Sequence, residues 1–210
     1  MQSRVIVLAH QKGGVGKSTI ASNIAVELQK ITKVKVIDLD MQKSLTYFNH
    51  IRAKSGLSAL NIIPATTISE LSQVINNNED ILLIDVGGFD SDMNRLAIAG
   101  ADILISPVSD SGVELVGLLS FKEILKDLRA IAPNLQARVL LNRIHTRATN
   151  SINELKKFID ENEEFSGIMN TVLRDRVDYK RAYDKGQSVA EYNGKAKQEI
   201  LELINEVKNG

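Results

Sequence analysis

Short apolar runs alternate with amphipathic stretches of helical period along the chain. The apolar runs lack the polar alternation of half-exposed strands, which is typical of parallel strands covered on both faces. Clear runs lie at 5–9, 34–39, 81–86, 103–108 and 137–142, and weaker ones at 60–63 and 169–173. Because strands alternate with helices, the pattern predicts an α/β fold with a doubly wound, mostly parallel sheet flanked by helices.

The predicted helices carry start and stop signals. A hydroxyl residue followed three positions later by glutamate, the capping box, occurs at Thr67/Glu70, Ser111/Glu114 and Ser151/Glu154. The longest helix is predicted at roughly 112–130 and the last at roughly 195–207. The last helix has one apolar stripe, and its lysines are offset by glutamates, so it is predicted to pack on the core and not to lie on a membrane.

Composition narrows the classes of function. The absence of cysteine excludes disulfides, iron–sulfur clusters and cysteine nucleophiles. Lys+Arg and Asp+Glu balance at 26 each, so any contact with nucleic acid must come from a local patch. With no linker or repeat, the chain is expected to be one domain, 1–210. We recognise no signal peptide and no membrane-spanning run, so a cytoplasmic location is expected.

A glycine-rich segment follows the first predicted strand and opens the next helix. Its sequence is Lys12-Gly13-Gly14-Val15-Gly16-Lys17-Ser18-Thr19, although Gln11 stands where the general phosphate-loop pattern has its first glycine. Glycines let backbone N–H groups turn toward phosphate oxygens, and the helix N-terminus adds positive potential. Lys17 is placed to reach the β- and γ-phosphates, Ser18 to bind Mg²⁺ and Thr19 to donate to a phosphate oxygen. The segment predicts a site for ATP and Mg²⁺.

Acidic residues end two of the predicted strands. Asp38 and Asp40 follow the second strand, and Asp85 ends the run at 81–85. Ligands of open α/β sheets bind at the carboxyl ends of the strands, where these carboxylates lie. Asp85 is therefore predicted to hold Mg²⁺, usually through water. A polar strand end with a solvated acid remains the open alternative for both Asp38 and Asp40.

The loop with two lysines resembles the deviant Walker A motif of the ParA/MinD family of ATPases. The segment Asp38-Leu39-Asp40-Met41-Gln42-Lys43-Ser44 resembles that family's D-x-D-P-Q-x-S, with Met41 in place of proline. The likeness spans nearly the whole chain and is looser beyond about residue 148. It implies a single-domain P-loop NTPase of the kind found in small ParA-type partition ATPases without an N-terminal DNA-binding domain.

The resemblance also implies roles for individual residues. Lys12 would cross an ATP-sandwich homodimer to the partner's phosphates and act in catalysis with Lys17 and Asp40. Asp40 would lie near the attacking water and Mg²⁺, and Asp38 would lie near the metal or have a structural role. Asn142, at the end of a late strand, would contact adenine, and so would Arg174. A turn asparagine remains the open alternative for Asn142.

The family's activity is carried over in the same way. ATP would drive dimerisation, the dimer would bind DNA without sequence preference, and a ParB-like partner would stimulate hydrolysis. Segment 171–187 carries five basic and three acidic residues. Its candidate DNA contacts are Arg174, Arg176, Lys180 and Arg181. Salt-dependent phosphate binding is one interpretation of this segment, and a solvated helix face of mixed charge is the other.

The resemblance leaves the cargo open between a plasmid, a chromosome region and a protein assembly. A nucleoid-associated location in the cytoplasm is expected. Two other functions on the same fold stay open. A MinD-like membrane-surface regulator needs a basic amphipathic tail, which the sequence lacks. An ATP-dependent metabolic ligase needs a small-substrate pocket beside the γ-phosphate.

Overall fold

A computed structural model describes residues 3–110, 113–145, 149–192 and 194–209. The strands are β1 (Arg4–Leu8), β2 (Val34–Asp38), β3 (Asn61–Ile62), β4 (Ile81–Asp85), β5 (Ile103–Val108), β6 (Ala137–Ile144) and β7 (Phe165–Arg174). They form one sheet in the order β3-β2-β4-β1-β5-β6-β7, and each neighbouring pair of these described strands is parallel. The predicted α/β fold and doubly wound sheet are confirmed, and the sheet is all-parallel.

Helices cover both faces of the sheet. One face carries α1 (Lys17–Gln29), α2 (Ser44–Lys54), α7 (Val177–Tyr183), α8 (Val189–Tyr192) and α9 (Lys197–Asn209). The other face carries α3 (Ile68–Asn76), α4 (Asp92–Ala99), α5 (Val113–Leu128) and α6 (Thr149–Asp160). Successive strand residues point to opposite faces, so Ile6 and Leu8 join one core while Val5 and Val7 join the other. Burial on both sides explains the unbroken apolar runs.

The two weaker strand predictions are right about the position of the strand and wrong about its length. The run at 60–63 contributes only the two-residue edge strand β3, which pairs with β2 alone. The run at 169–173 is the interior of the longer strand β7. Pairing with a neighbour decides how far each strand extends, and an apolar pattern does not contain that information.

The predicted capping boxes have different outcomes. Thr67 and Glu70 form a complete box at the start of α3, so this prediction is confirmed. Ser111 lies outside the described residues, which leaves its box untested. The prediction for Ser151 is wrong, because α6 begins two residues earlier at Thr149 and Ser151 lies inside the helix.

The final helix α9 packs against the core. Ile200, Leu203, Ile204 and Val207 are buried in one cluster with residues of α1 and β7, which confirms the core-packing prediction. Among the described residues, no helix is both long and apolar enough to cross a membrane.

The strand order places a crevice beside β1. The chain passes from β1 over β4 to reach β2, and it later continues to the other side of β1 through β5. The strand order therefore reverses next to β1, where the carboxyl ends of neighbouring strands leave an opening for a ligand. The glycine-rich loop leaves β1 at this point.

Candidate functional site

The glycine-rich loop needs glycine at two of its positions. Gly14 and Gly16 have φ angles of 79° and 95°, in the left-handed region that side chains disfavour. Gly16 precedes α1 as its N-cap, and a Cβ there would also collide with the side-chain amide of Asn142. The loop can therefore curl against the start of α1, where backbone N–H groups have no helical partner.

Lys17 lies almost entirely below the surface at the start of α1. Its Nζ donates to the backbone carbonyl of Lys12 at 3.0 Å, which closes the loop on itself. Burial lowers the pKa of the Lys17 ammonium, and the nearby carboxylates Asp85 and Asp40 oppose that shift. A buried cation beside an opening in the fold is suited to receive a polyanion such as a phosphate chain.

Asp85 ends β4 directly beneath the loop. In the sheet register it lies beside Leu8 of β1 and Asp38 of β2. Both carboxylate oxygens are buried, and neither has a hydrogen-bond partner of ordinary geometry among the described residues. Burial raises the pKa of Asp85 to about 7, while the adjacent Ser18 hydroxyl and Lys17 act to lower it.

A partnerless buried carboxylate beside a serine hydroxyl fits the needs of Mg²⁺. This ion keeps several waters and takes one or two protein oxygens, completed by phosphates, so a cage of carboxylates is not required. Consistently, no group of three or more His, Cys, Asp or Glu side chains able to hold a metal occurs among the described residues. Asp85 and Ser18 are the residues present for such an ion.

Asp38 and Asp40 have different surroundings. Asp38 is buried, and one of its oxygens accepts hydrogen bonds at 2.8 Å from both the backbone N–H and the hydroxyl of Thr46. It therefore holds the start of α2 to the end of β2, which supports a structural role. Asp40 is partly exposed on the wall of a cavity, and its carboxylate accepts from the backbone N–H of Gln42 at 2.8 Å.

The cavity above the loop has a volume of about 1120 Å³. Its walls come from the glycine-rich loop, the segment after β2, the loop after β4, the end of β6 and the start of α7. The predicted site residues that line it are Gly13, Gly14, Gly16, Lys17, Ser18, Thr19, Asp40, Asn142, Arg176 and Lys180. Tertiary structure thus brings together residues from five distant parts of the chain.

Other predicted site residues lie outside the cavity lining. Val15 and Asp85 are buried beneath the loop. The Lys12 side chain leaves the loop toward α5. Its Cβ lies 3.6 Å from the position that a Cβ would occupy on Gly117, a residue of α5. Arg174 is also not part of the lining, whereas the next two residues of its segment, Asp175 and Arg176, are.

The end of β6 forms the side of the cavity opposite the segment after β2. The Asn142 side-chain amide donates to the backbone carbonyl of Val15 at 2.8 Å, which fixes its orientation against the loop. Arg143 follows in a left-handed conformation, with a φ of 58°, and its side chain lies within 3.7 Å of Asp175. These side chains can present hydrogen-bond donors and acceptors to a base.

The four candidate DNA contacts differ in how much charge they present. Arg176 pairs with Glu199 of α9 at 2.7 Å, and the same carboxylate accepts the backbone N–H of Arg174. Lys180 and Arg181 are exposed on α7. The accessible positive charge of this region therefore lies mainly on α7.

Two residues near the loop were not identified from sequence. His10, directly before the loop, is buried with its Nδ1 3.0 Å from the Ser106 hydroxyl. Burial and the two loop lysines lower the pKa of His10 to about 3, so the ring is neutral. Gly88, after β4, touches the loop so closely that a Cβ would lie 2.9 Å from the Gly13 nitrogen. His10 could have been identified from sequence because it directly precedes the loop. The contact between Gly88 and Gly13 is visible only in the folded chain.

Helix α4, which follows the loop after β4, is capped by Ser91, whose hydroxyl accepts from the backbone N–H of Asn94. Asp90 makes two 2.8 Å hydrogen bonds with Arg95. Either residue can cap a helix, and the ion pair with Arg95 draws the Asp90 carboxylate away from the helix start.

A parallel sheet that carries this loop, a buried lysine and a strand-end carboxylate defines the class of P-loop nucleotide-binding proteins. A model of the CobQ/CobB/MinD/ParA nucleotide binding domain matches residues 6–189. The chain therefore belongs to this family, and its resemblance to the ParA/MinD ATPases is confirmed.

Individual relatives match from 60% of this chain to nearly all of it. The maintenance of carboxysome distribution protein A of Halothiobacillus neapolitanus is 24% identical, with 96% of this chain and 95% of that protein covered. The chromosome-partitioning ATPase Soj of Thermus thermophilus is 29% identical over 60% of this chain and 63% of its own. The structure is also similar to a Cyanothece McdA–ATP complex, with a TM-score of 0.78, 19% identity and 99% and 97% of the two chains covered.

Proposed function

We propose that this protein is a Mg²⁺-dependent ATPase of the ParA type, which uses ATP to position a cargo. The observation that carries the proposal is the buried Lys17 near the buried Asp85 carboxylate, which has no hydrogen-bond partner of ordinary geometry among the described residues and lies directly under the glycine-rich loop. That arrangement supplies one cation for phosphate and one anion for a metal within a single crevice. The whole chain, 1–210, acts as one ParA-like domain in this proposal.

Each predicted site residue has a role in binding. The backbone of residues 12–19 surrounds the phosphates, Lys17 neutralises their charge and Thr19 donates to a phosphate oxygen. Ser18 and Asp85 hold the metal, aided by Asp40. When bound, Mg²⁺ neutralises charge on the phosphates. Asp40 orients the attacking water, and Asn142 contacts adenine with Arg174 close by.

Lys12 acts on a second copy of the chain. It leaves the loop on the α5 side and is not part of the lining of its own cavity. In a dimer that closes over two nucleotides, Lys12 contacts the phosphates bound by the partner copy, where it stabilises charge during transfer. The proposal is therefore an ATP-dependent homodimer with slow intrinsic turnover.

The dimer binds DNA through its basic helix. Lys180 and Arg181 are exposed on α7, and Arg174 and Arg176 lie just before that helix. Dimerisation doubles this charge, and phosphate contacts of this kind carry no sequence preference. The protein is accordingly nucleoid-associated in the cytoplasm, and a ParB-like partner stimulates hydrolysis. Relatives named for carboxysome distribution and for chromosome partitioning support either a protein assembly or a DNA molecule as the cargo.

Retention on DNA tests this proposal. With Mg²⁺-ATP, the protein should be retained on DNA of arbitrary sequence more strongly than with ADP, and raised salt should abolish retention. Arg181→Glu should lose most of the retention and keep ATP binding, because Arg181 is exposed on α7 and is not part of the cavity lining. Lys156→Glu, which changes an exposed lysine of α6, serves as the charge-matched control. Equal retention of Arg181→Glu and the control would contradict the assignment of α7.

The same preparation separates the alternatives. Binding to anionic vesicles in place of DNA would favour a membrane-surface regulator, although the apolar stripe of α9 is buried in the core and so is not available to lipid. ATP turnover that requires a carboxylate substrate would favour a metabolic ligase.

A further inference from the structure

Tyr183 joins the last turn of α7 to the first turn of α2. Its hydroxyl donates to the backbone carbonyl of Ser44 at 2.6 Å. Its ring packs on the fully buried Phe48, with the ring centroids 5.3 Å apart. Because the ring and the hydroxyl are held at once, the distance between these two helix ends is fixed.

The first turn of α2 lies on the nucleotide cavity. Asp40, Met41, Gln42 and Ser44 all line the cavity, so a nucleotide bound there would face the segment that leads into α2. Lys43 adopts a left-handed conformation with a φ of 51°, which a side chain occupies only under constraint. The segment is therefore both exposed to the ligand and conformationally restrained.

The other side of α7 is held by α9. The Tyr179 hydroxyl donates to the carboxylate of Glu199, which also pairs with Arg176. Exposed Lys180 and Arg181 lie in the chain between Tyr179 and Tyr183, the two tyrosines that fix the helix. A shift of the α2 end relative to α9 would therefore reorient both basic side chains.

We propose that Tyr183 is a positioning residue that transmits nucleotide occupancy from segment 40–44 to α7 and so sets how Lys180 and Arg181 are presented to DNA. The part of this inference that concerns DNA binding rests on the proposed function. The link itself is the Tyr183–Ser44 hydrogen bond, since that bond ties the segment after β2 to α7, and both of its residues line the same cavity.

Removal of the hydroxyl tests the link without removing the ring. Tyr183→Phe keeps the contact with Phe48 and should keep ATP affinity, while the ratio of DNA retention with ATP to that with ADP should fall at least roughly fivefold, the lower end of ordinary coupling. Tyr179→Phe is the matched control, because it removes a hydroxyl from the same helix on the α9 side. A ratio for Tyr183→Phe equal to that of the wild type would overturn the proposal.

Hydrogen exchange gives a readout that does not depend on DNA. In the wild type and in Tyr179→Phe, adding Mg²⁺-ATP should change the exchange rates of amides 177–183, whereas in Tyr183→Phe that change should be lost. Thermal unfolding of each variant reports any general loss of fold. If Tyr183→Phe loses the exchange change that the wild type shows, but the wild type is not retained on DNA, the proposed function fails and the link stands. If Tyr183→Phe keeps the exchange change, the link fails whatever the DNA result.

Discussion

The surroundings of two residues at this site, Lys17 and Asp85, destabilise the empty protein and favour the binding of a ligand. Lys17 and Asp85 are both buried, and burial disfavours the charged form of each. Asp85 in addition has no ordinary hydrogen-bond partner among the described residues. Such residues weaken the fold when the site is empty and strengthen binding when it is filled, which is typical of functional sites.

The effect of pH on stability tests the state of Asp85. Its folded pKa of about 7 lies above the ordinary value of 3.8, so the folded protein favours the protonated acid and stability falls as pH rises between these values. Without nucleotide at pH 8, Asp85→Asn should therefore melt higher than the wild type, by on the order of 5 °C. At pH 4 the two should melt at similar temperatures, as thermal scans can show. A wild type that is the more stable at pH 8 would contradict the raised pKa.

Affinity for ATP tests Lys17. Lys17→Ala removes the buried cation that faces the phosphates, so titration calorimetry with Mg²⁺-ATP should find affinity reduced by more than about 100-fold, since a charge-assisted contact in a buried site is lost. Lys12→Ala, in the same loop, is the control and should bind ATP almost normally. Tight binding by Lys17→Ala would show that the loop is not the nucleotide site.

At the scale of elements, the interior and the edges of each helix and strand differ in predictability. The apolar interiors of β1, β4 and β5 were located from sequence because burial on both sides requires continuous apolar residues. The bounds of β3 and the start of α6 were not, because partners distant in the sequence decide where pairing and helical turns end.

Unfolding experiments test the place of α9 in the core. Leu203→Ala removes a fully buried side chain that packs among residues of α1 and β7, so the free energy of unfolding should fall by about 2–5 kcal/mol. Glu202→Ala, at the neighbouring exposed position, should change it by less than about 0.5 kcal/mol. Urea titrations measure both. Equal effects would mean that α9 is not a core helix.

At the scale of the whole molecule, the site is incomplete in one copy if Lys12 acts on a partner. Lys12→Ala should then bind ATP as a monomer and fail to form the ATP-dependent dimer, or form it with hydrolysis reduced by on the order of 10³-fold, the lower end of the effect of a finger cation. Light scattering with ATP and a phosphate-release assay measure the two properties. Normal dimerisation together with normal turnover in this variant would refute the role across the interface.

The sequence by itself determined the alternation of strands and helices, the phosphate loop and the strand-end acids. These features are local, because backbone turns, helix starts and metal-binding carboxylates depend on residues close together in the chain. Tertiary structure decided that Asn142 supports the loop, that Arg174 lies outside the cavity lining and that Tyr183 reaches Ser44. These contacts join residues far apart in sequence, and only the packing of helices on the sheet sets their distances.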